Sequence, residues 1–306
     1  MKQLTYIKRG RLRWDEVPDP VLDAPTSALV RPLAVARCDL DAAFLRKNIP
    51  GRFRLGRLLG LVDPHIARWM RPDLLKGPFP LGHECVAEVV EKGAEVEGLA
   101  VGARVVVPFQ VSCGACPLCR GGLTAHCETH GSFDMYGGVG RHTARGGMLS
   151  DRVLVPHAGH MLVPLPAGLD PVDLASASDN IPDAWSRTAP DLLGGRGKEV
   201  LVVGGSARSI GLYCVAFAAA MGAARVDYLE TDAERLRIAA ALGGNPVKGG
   251  WSRLERQYDL VINGTNRTEA IGEAVSRLRP GGVCTSLNIY FGKSVPVPFF
   301  QLYAKT

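Results

Sequence analysis

The sequence predicts an α/β protein in which a mostly β domain precedes a doubly wound parallel sheet. The 306-residue chain changes in texture near Gly197. Before this point, short apolar runs alternate with Pro and Gly, which is typical of an irregular β domain. After it, apolar strands alternate with Ala-rich helical stretches, which is typical of a parallel sheet with crossover helices.

The first half of the chain predicts short strands bounded by turn residues. We place the first domain at residues 1–165 and the second at 166–306, with the boundary within the segment 164–193. The clearest strands of the first domain are residues 86–90, 104–107 and 151–155.

The second domain predicts a regular alternation of strands and helices. A strand at 199–203 meets a glycine turn, and the next strand ends at Glu230. Strands joined through helices in this way favour a parallel sheet. The remaining predicted elements are helices at 210–223, 232–242 and 269–278, strands at 259–262 and 283–288, and a turn at 280–282.

The balance of charge excludes a stripe that binds nucleic acid. The net charge of +6 comes from 36 basic and 30 acidic residues spread as a mildly basic surface. Basic residues interrupt any N-terminal secretory signal, and the long uncharged run at 209–224 is too short to span a bilayer. We therefore expect a cytoplasmic protein without a membrane or nucleic-acid partner, whose eight cysteines stay reduced or bind metal.

One short loop, within about residues 108–130, carries four cysteines at the spacing C-x2-C-x2-C-x7-C. Thiolates this close suit tetrahedral zinc, and four protein ligands leave no open position for catalysis. We predict a structural zinc site, and the alternatives are a disulfide pair or thiols without a ligand. The four cysteines are Cys113, Cys116, Cys119 and Cys127. Three others lie in apolar segments and are expected to be inert core thiols: Cys85, Cys214 and Cys284.

The turn after the strand 199–203 has features of a dinucleotide site. From Gly204 to Gly211 the chain passes from strand to helix, where backbone amides and the positive helix end can face a pyrophosphate. Ser206 stands where a second glycine is usual, so this motif alone is weak. Glu230 ends the next strand, where a carboxylate accepts hydrogen bonds from the adenosine ribose. We predict NAD, because the 2′-phosphate of NADP would meet like charge, and we place Arg208 near the pyrophosphate. The alternatives are a solvated strand end for Glu230 and a plain surface role for Arg208.

Several motifs together resemble the zinc-dependent medium-chain dehydrogenase/reductase family, nearest the branch that contains glutathione-independent formaldehyde dehydrogenase. They are the four-cysteine loop, the turn at 204–211, Gly82-His83-Glu84, Gly146-Gly147-Met148-Leu149-Ser150-Asp151, Val163-Pro164-Leu165-Pro166 and Arg279-Pro280-Gly281-Gly282. The resemblance implies a GroES-like catalytic domain followed by a Rossmann domain, with a catalytic zinc in the cleft between them. It also implies hydride transfer from an alcohol to the nicotinamide, and a homo-oligomer that is a dimer or tetramer.

The resemblance also implies residues for the catalytic zinc. Cys38, His83 and, from the similarity of Ser178-Asp179-Asn180-Ile181-Pro182, Asp179 match the ligands. Asp41 matches the carboxylate that orients the ligand histidine, and Glu84 matches the carboxylate beside the metal. Taken singly, Cys38 and His83 could be ordinary core residues, and Asp179 could cap the following helix.

The chain departs from the family pattern at the proton relay. Leu40 and Ala43 stand where the family relays the alcohol proton, and neither side chain can carry one. Asp39 is the candidate replacement, with an exposed carboxylate as the alternative, and His65 is a further candidate. The chain also ends before the return to the catalytic domain that the resemblance leads us to expect.

The segment 46–76 is longer than is common in the family. Its arginines and apolar residues could form a lid that selects an anionic substrate, because guanidinium groups bind phosphate and carboxylate. The favoured alternative is a solvated helical face that packs on the domain or on a partner subunit. The residues concerned are Arg52, Arg54, Leu55, Arg57, Leu58, Leu59, Ile66, Arg68, Trp69 and Arg71.

These features together predict an NAD-dependent zinc alcohol, polyol or aldehyde dehydrogenase acting on a small molecule. The rival hypothesis is a catalytically degenerate sensor or scaffold that binds NAD and zinc, which the residues Leu40 and Ala43 favour. A zinc-free quinone reductase is a third possibility, which Cys38, His83 and the four-cysteine loop disfavour.

Overall fold

The computed structural model describes residues 1–46, 49–64, 77–131, 134–137, 145–195, 199–290 and 294–305. The chain divides into two units, one of Met1–Leu59 with Ala67–Asp179, and one of Gly60–Ile66 with Asn180–Thr306. The predicted domain division at 165/166 stays a prediction. The described residues include no helix that is both long and apolar enough to cross a bilayer.

The first unit contains two antiparallel sheets with short helices between their strands. One sheet has the strand order β2-β1-β4, and the other has the order β7-β3-β5-β6-β8. In chain order the elements are β1 (Lys2–Lys8), β2 (Arg11–Glu16), β3 (Ala28–Ala36), α1 (Asp39–Arg46), α2 (Ile49–Leu58), β4 (Phe79–Pro80), β5 (Glu84–Lys92), β6 (Arg104–Val107), α3 (Pro117–Arg120), a 3-10 turn (Thr124–His126), β7 (Val153–Val155), α4 (Ala158–Met161) and β8 (Val163–Pro164).

Strand β5 lies at the centre of the five-stranded sheet, and its first half is buried on both faces. Residues 85–87 are accordingly apolar without alternation, and Glu84 is a buried carboxylate at the start of the strand. Glu84, the first residue of β5, pairs with Ala36, the last residue of β3. The residues that begin β5 therefore lie beside the segment that follows β3, which places His83 and Glu84 near Cys38.

The turn before β5 packs closely against another part of the first unit. Gly82 adopts a φ of +93°, and a Cβ there would lie 2.6 Å from the backbone nitrogen of Leu149. The Met148 amide donates a hydrogen bond to the Gly82 carbonyl at 2.8 Å. Only glycine fits this approach, so the motif at 82–84 and the motif at 146–151 form one packed structure.

The second unit is a parallel sheet with helices in its connections. In chain order its elements are α5 (Asn180–Leu193), β9 (Glu199–Val203), α6 (Arg208–Ala220), β10 (Arg225–Glu230), α7 (Ala233–Ala241), β11 (Asn245–Lys248), a 3-10 turn (Trp251–Arg253), β12 (Tyr258–Asn263), α8 (Ala270–Ser276), β13 (Leu278–Ser286) and α9 (Phe299–Lys305).

The strand order of this sheet is β11-β10-β9-β12-β13, and its neighbouring strands are parallel. The chain begins at β9, proceeds to one edge, and then returns to the other side of β9. This order confirms the predicted doubly wound sheet and puts the switch point between β9 and β12. Ligands of such sheets bind outside the carboxyl ends of the strands at that point.

The sequence prediction for residues 278–282 is wrong, because these residues belong to β13. Leu278 was expected to end a helix, but it pairs with Tyr258 as the first residue of β13. The predicted turn at 280–282 is an irregularity inside the strand, where the register shifts between Tyr258 and Leu260. A Pro-Gly-Gly sequence is typical of a turn, but here the ladder resumes beyond it, as at a bulge.

Candidate metal centre and dinucleotide site

Four predicted residues of the first unit converge on one point. The ligand atoms of Cys38, His83, Glu84 and Asp179 all lie within 4.8 Å of one another. Cys38 follows β3, His83 and Glu84 begin β5, and Asp179 directly precedes α5. Asp179 is partly exposed, and the other three are buried.

The separations within this group suit a tetrahedral metal ion. Nε2 of His83 lies 3.4 Å from Oδ2 of Asp179 and 3.9 Å from Oε1 of Glu84. Ligand bonds of 2.0–2.3 Å to zinc place tetrahedral ligand atoms about 3.3–3.8 Å apart. Thiolate, imidazole and carboxylate are all zinc ligands, so the residues present fit the ion that the sequence predicts.

Asp41 connects two members of this group from the first turn of α1. Its Oδ2 accepts a hydrogen bond from the Cys38 amide at 3.2 Å. Its Oδ1 lies 3.6 Å from Nδ1 of His83. A carboxylate at Nδ1 fixes the ring so that Nε2 faces the other donors. Asp41 therefore contacts both Cys38 and His83, as the predicted orienting carboxylate should.

The thiol and carboxyl groups around His83 favour binding of a cation. Burial alone lowers the pKa of His83, but hydrogen bonds to Asp179 and Cys38 and the charge of Asp41 together raise it to about 11. Burial raises the pKa of both Cys38 and Asp41. Anionic groups thus concentrate around one imidazole, and a proton there occupies the place that a metal ion would take.

Ser178 attaches the segment that carries Asp179 to the central strand. Its Oγ accepts a hydrogen bond from the Cys85 amide at 3.1 Å. Because Cys85 follows Glu84 in β5, this contact holds Asp179 beside the start of the strand. The sequence carries no signal for this contact, since 93 residues separate the two partners. Burial raises the pKa of the Cys85 thiol to about 12, in keeping with an inert core cysteine.

The four-cysteine loop forms a second cluster in the first unit. The four sulfur atoms, those of Cys113, Cys116, Cys119 and Cys127, lie within 4.8 Å of one another. All eight cysteines, each within the described residues, are thiols, so the disulfide alternative is wrong for this structure. Four thiols at this spacing match a closed tetrahedral zinc site.

Hydrogen bonds to sulfur favour the thiolate forms of Cys113 and Cys116 in this cluster. The amide of Cys116 donates to the sulfur of Cys113 at 3.3 Å, and the hydroxyl of Thr129 donates to the same sulfur at 3.3 Å. The Thr129 hydroxyl and the backbone amides lower the pKa of Cys113 to about 5. Donors to sulfur stabilise the thiolate form that zinc binds, so the loop fits a metal ion chemically as well as geometrically.

In the second unit, the turn after β9 brings the predicted cofactor residues together. A Cβ on Gly204 would lie 2.2 Å from Oε2 of Glu230, so glycine at this position lets the carboxylate lie against the turn. Gly211 is buried in the first turn of α6. Ser206 and Arg208 are exposed at the start of the helix. Backbone amides and the N-terminus of this 13-residue helix form the kind of cradle that binds a pyrophosphate.

Glu230 is buried and held by several donors, so it is not a solvated strand end. The amides of Thr231 and Asp232 donate to its Oε1 at 2.7 and 3.2 Å. Nη1 of Arg235 lies 2.7 Å from its Oε2 and also donates to the Gly205 carbonyl at 2.8 Å. Sequence reasoning missed Arg235, although the Asp232 cap of α7 is a signal that sets the register of this helix.

The predicted relay residues lie on α1. Asp39 is the first residue of the helix and is partly exposed, and Ala43 lies one turn later. Leu40 belongs to the same helix, and its side chain lies outside the described part of the structure. The relay role of Asp39 stays a prediction. His65 lies outside the described residues.

The segment 46–76 is described only as far as residue 64. Helix α2 buries Phe53, while Leu55, Leu58 and Leu59 are exposed. The lid and packing hypotheses therefore stay predictions. The exposed arginines of α2 are Arg52, Arg54 and Arg57. Four residues named in the lid hypothesis lie outside the described residues: Ile66, Arg68, Trp69 and Arg71.

Comparisons with known proteins agree with the family resemblance and with the fold. A family model described as the alcohol dehydrogenase GroES-like domain matches residues 24–167. A Mycobacterium tuberculosis protein named as a zinc-binding alcohol dehydrogenase is 26% identical over 307 residues, covering 97% of this chain and 71% of the relative. The glutathione-independent formaldehyde dehydrogenase of Pseudomonas aeruginosa is 35% identical over 253 residues, covering 78% of this chain and 56% of the relative.

A solved structure is similar over the whole chain. The alcohol dehydrogenase of Thermus sp. ATN1 has a TM-score of 0.79 at 26% identity, covering 100% of this chain and 82% of the other. The resemblance inferred from the motifs is thereby confirmed.

The position of Asp41 generates a prediction about metal affinity. Asp41→Asn is expected to weaken zinc binding at the Cys38 site about 10- to 100-fold, because the ligand ring loses its orienting carboxylate. Competition with a chromophoric chelator measures this affinity and leaves the four-cysteine zinc as an internal reference. Asp39→Asn removes the same charge from the same helix and is the matched control. Equal losses in the two variants would contradict an orienting role for Asp41.

Proposed function

Because the chain belongs to the zinc-dependent medium-chain dehydrogenase/reductase family, we propose that it transfers hydride between an alcohol, polyol or aldehyde hydrate and NAD. The convergence of Cys38, His83 and Asp179, beside Glu84, is the observation that carries this proposal. A zinc ion held there would supply Lewis acidity toward a hydroxyl or carbonyl oxygen. Three ligands with a neighbouring carboxylate leave room for a substrate oxygen, as catalytic zinc requires.

The residues of the site have separate tasks in this proposal. Asp41 holds the imidazole of His83 and the backbone of Cys38 in place. Burial of these ligands keeps water away, which strengthens the electrostatic effect on a bound substrate oxygen. Asp39, one residue after Cys38 and partly exposed, is proposed to receive the substrate proton and release it to solvent.

The second zinc is proposed to be structural. Four thiolates fill a tetrahedral shell, so no position remains for a substrate. The loop 113–127 contains only a four-residue helix and a 3-10 turn, and a metal crosslink would supply the order that packing does not.

Glu230 supports NAD over NADP as the cofactor. In the proposed complex its carboxylate accepts hydrogen bonds from the adenosine ribose. Gly204, which has no side chain, leaves room beside this carboxylate. A 2′-phosphate would meet this carboxylate at close range, which disfavours NADP. Arg235 holds Glu230 in position, and Arg208 is proposed to lie near the pyrophosphate.

A non-catalytic sensor or scaffold is the second candidate. Leu40 and Ala43, which replace the usual relay residues, favour it because neither side chain carries a proton. In either case we propose a homo-oligomer, a dimer or tetramer, with a small molecule as the ligand.

The function is tested by counting zinc and screening substrates. We expect two zinc ions per chain, and NADH formation with at least one member of a panel of primary alcohols, polyols and formaldehyde. One zinc ion per chain with no turnover on any member would favour the scaffold. Direct metal analysis and NADH absorbance provide the two readouts.

Replacement of Asp39 tests the proposed proton path. Asp39→Asn is expected to lower kcat about 100-fold, since proton transfer by a placed side chain typically contributes at least this much. Zinc content and NAD affinity are expected to stay unchanged. A kcat equal to that of the wild type would remove Asp39 from the mechanism.

Replacement of Glu230 tests cofactor preference. Glu230→Ala is expected to shift the ratio of the NAD and NADP dissociation constants about 100-fold toward NADP, because it removes like charge and releases Arg235 to bind phosphate. Glu234→Gln removes a charge from α7 that pairs instead with Arg237, and it is the matched control. Calorimetric titration measures both ratios. A shift of the same size in both variants would contradict a specific role for Glu230.

A further inference from the structure

A hydrogen bond joins two loops at the carboxyl edge of the parallel sheet in the second unit. Oγ of Ser206 donates to Oδ1 of Asn288 at 2.7 Å. Ser206 belongs to the turn after β9, and Asn288 lies two residues beyond the end of β13. Because β12 separates β9 from β13 in the sheet, the contact crosses the carboxyl end of β12.

This contact lies where the fold makes a ligand crevice. The switch point of the sheet falls between β9 and β12, and ligands of doubly wound sheets bind at the carboxyl ends there. The backbone is closely packed at this point, since a Cβ on Gly205 would lie 2.5 Å from the Gly264 carbonyl oxygen. Ser206 and Asn288 therefore border the proposed cofactor site.

The side-chain nitrogen of Asn288 donates no hydrogen bond to any residue that the structure describes. Nδ2 is buried and has no hydrogen-bond partner among residues 199–290 and 294–305 or elsewhere in the described chain. A buried amide nitrogen without an acceptor is costly, and proteins seldom keep one without a ligand or water to satisfy it. Since Ser206 engages the amide oxygen, the nitrogen is the half of the side chain left to serve a ligand.

The backbone around Asn288 is held on both sides. The Leu287 amide donates to the Asn263 carbonyl at 3.0 Å. The Tyr290 hydroxyl accepts from Nδ2 of Asn263 at 2.9 Å and donates to the Thr265 carbonyl at 3.2 Å. These contacts fix the segment before ligand arrives, so the donor is presented without a large ordering cost.

The strand order indicates which part of a dinucleotide reaches Asn288. In the proposed complex the adenosine ribose lies at Glu230, which ends β10, and the pyrophosphate lies at the turn after β9. Continuing across the sheet leads to β12 and then β13. At about 4.8 Å per strand, β13 is about 14 Å from β10. The nicotinamide half of the molecule is therefore the part that extends to Asn288.

We propose that Asn288 is a positioning residue whose Nδ2 donates a hydrogen bond to an oxygen of the nicotinamide half of the cofactor, with Ser206 fixing the amide. The acceptor is a hydroxyl of the nicotinamide ribose or the carboxamide oxygen. This inference rests on the proposed dinucleotide function of the second unit. It gives Ser206, which departs from the usual glycine, a role that a glycine does not supply.

Three nucleotides of increasing length test the proposal by calorimetric titration of the full chain. ADP lacks the nicotinamide half, ADP-ribose adds the second ribose, and NAD adds the ring. Asn288→Ala is expected to weaken NAD binding about 5- to 10-fold, the effect of one hydrogen bond, and to leave ADP binding unchanged. Weaker binding of ADP-ribose as well would identify the ribose as the acceptor, and its unchanged binding would identify the carboxamide.

Two further variants complete the test. Ser206→Ala is expected to weaken NAD binding relative to ADP by a smaller factor, because the amide loses its anchor but keeps its donor. Asn245→Ala is the matched control. Asn245 is the first residue of β11, and its Nδ2 donates a hydrogen bond to Asp227 of β10. It is expected to leave the ratio of NAD to ADP affinity unchanged.

An Asn288→Ala variant that binds NAD as the wild type does, or that loses ADP and NAD affinity equally, would overturn the proposal. Both affinities are measured on the same variant, so a general loss of folded protein does not imitate the expected ratio. A wild-type chain that binds none of the three nucleotides would instead refute the proposed function itself.

Discussion

The convergence of Cys38, His83, Glu84 and Asp179 is the constraint on which the first unit depends. Three separate segments supply these residues, and the pairing of β3 with β5 brings two of the segments together. Asp41 then ties the segment after β3 to the imidazole at the start of β5. Burying so many anionic groups around one ring is costly unless a cation joins them. The fold and the proposed metal chemistry therefore depend on the same contacts.

In the proposed complex, the second unit binds a long anionic ligand with few charged side chains. The glycines at 204 and 205 leave the carboxyl edge of the sheet without side chains at these positions, and the start of α6 supplies amide donors. Charge is used at one end, where the ion pair of Glu230 and Arg235 is buried. Fixed hydrogen bonds are used at the other end, where Ser206 meets Asn288. In the proposed complex, the two ends therefore contact the two halves of the cofactor by different physical means.

Sequence reasoning succeeded where the physical signal is local. The spacing of the four cysteines alone predicts that they cluster. The alternation of apolar strands and helical stretches after residue 199 predicts the parallel sheet. Asp179 could not be found in this way, because 96 residues separate it from His83, and only the family resemblance connected them. Asn288 and Arg235 were missed because their partners are set by strand order and helix register. The Pro-Gly-Gly of β13 misled the prediction, since a bulge and a turn share their residue preferences.

The central claim is that one metal ion joins Cys38, His83 and Asp179. A crystal of the zinc-loaded chain, measured at the zinc absorption edge, tests it most directly. The account predicts an anomalous peak about 2.0–2.3 Å from Sγ of Cys38, Nε2 of His83 and a carboxylate oxygen of Asp179, besides the peak in the four-cysteine loop. A fully loaded crystal with a peak only among the four cysteines, or with these three groups too far apart to share one ion, would contradict it.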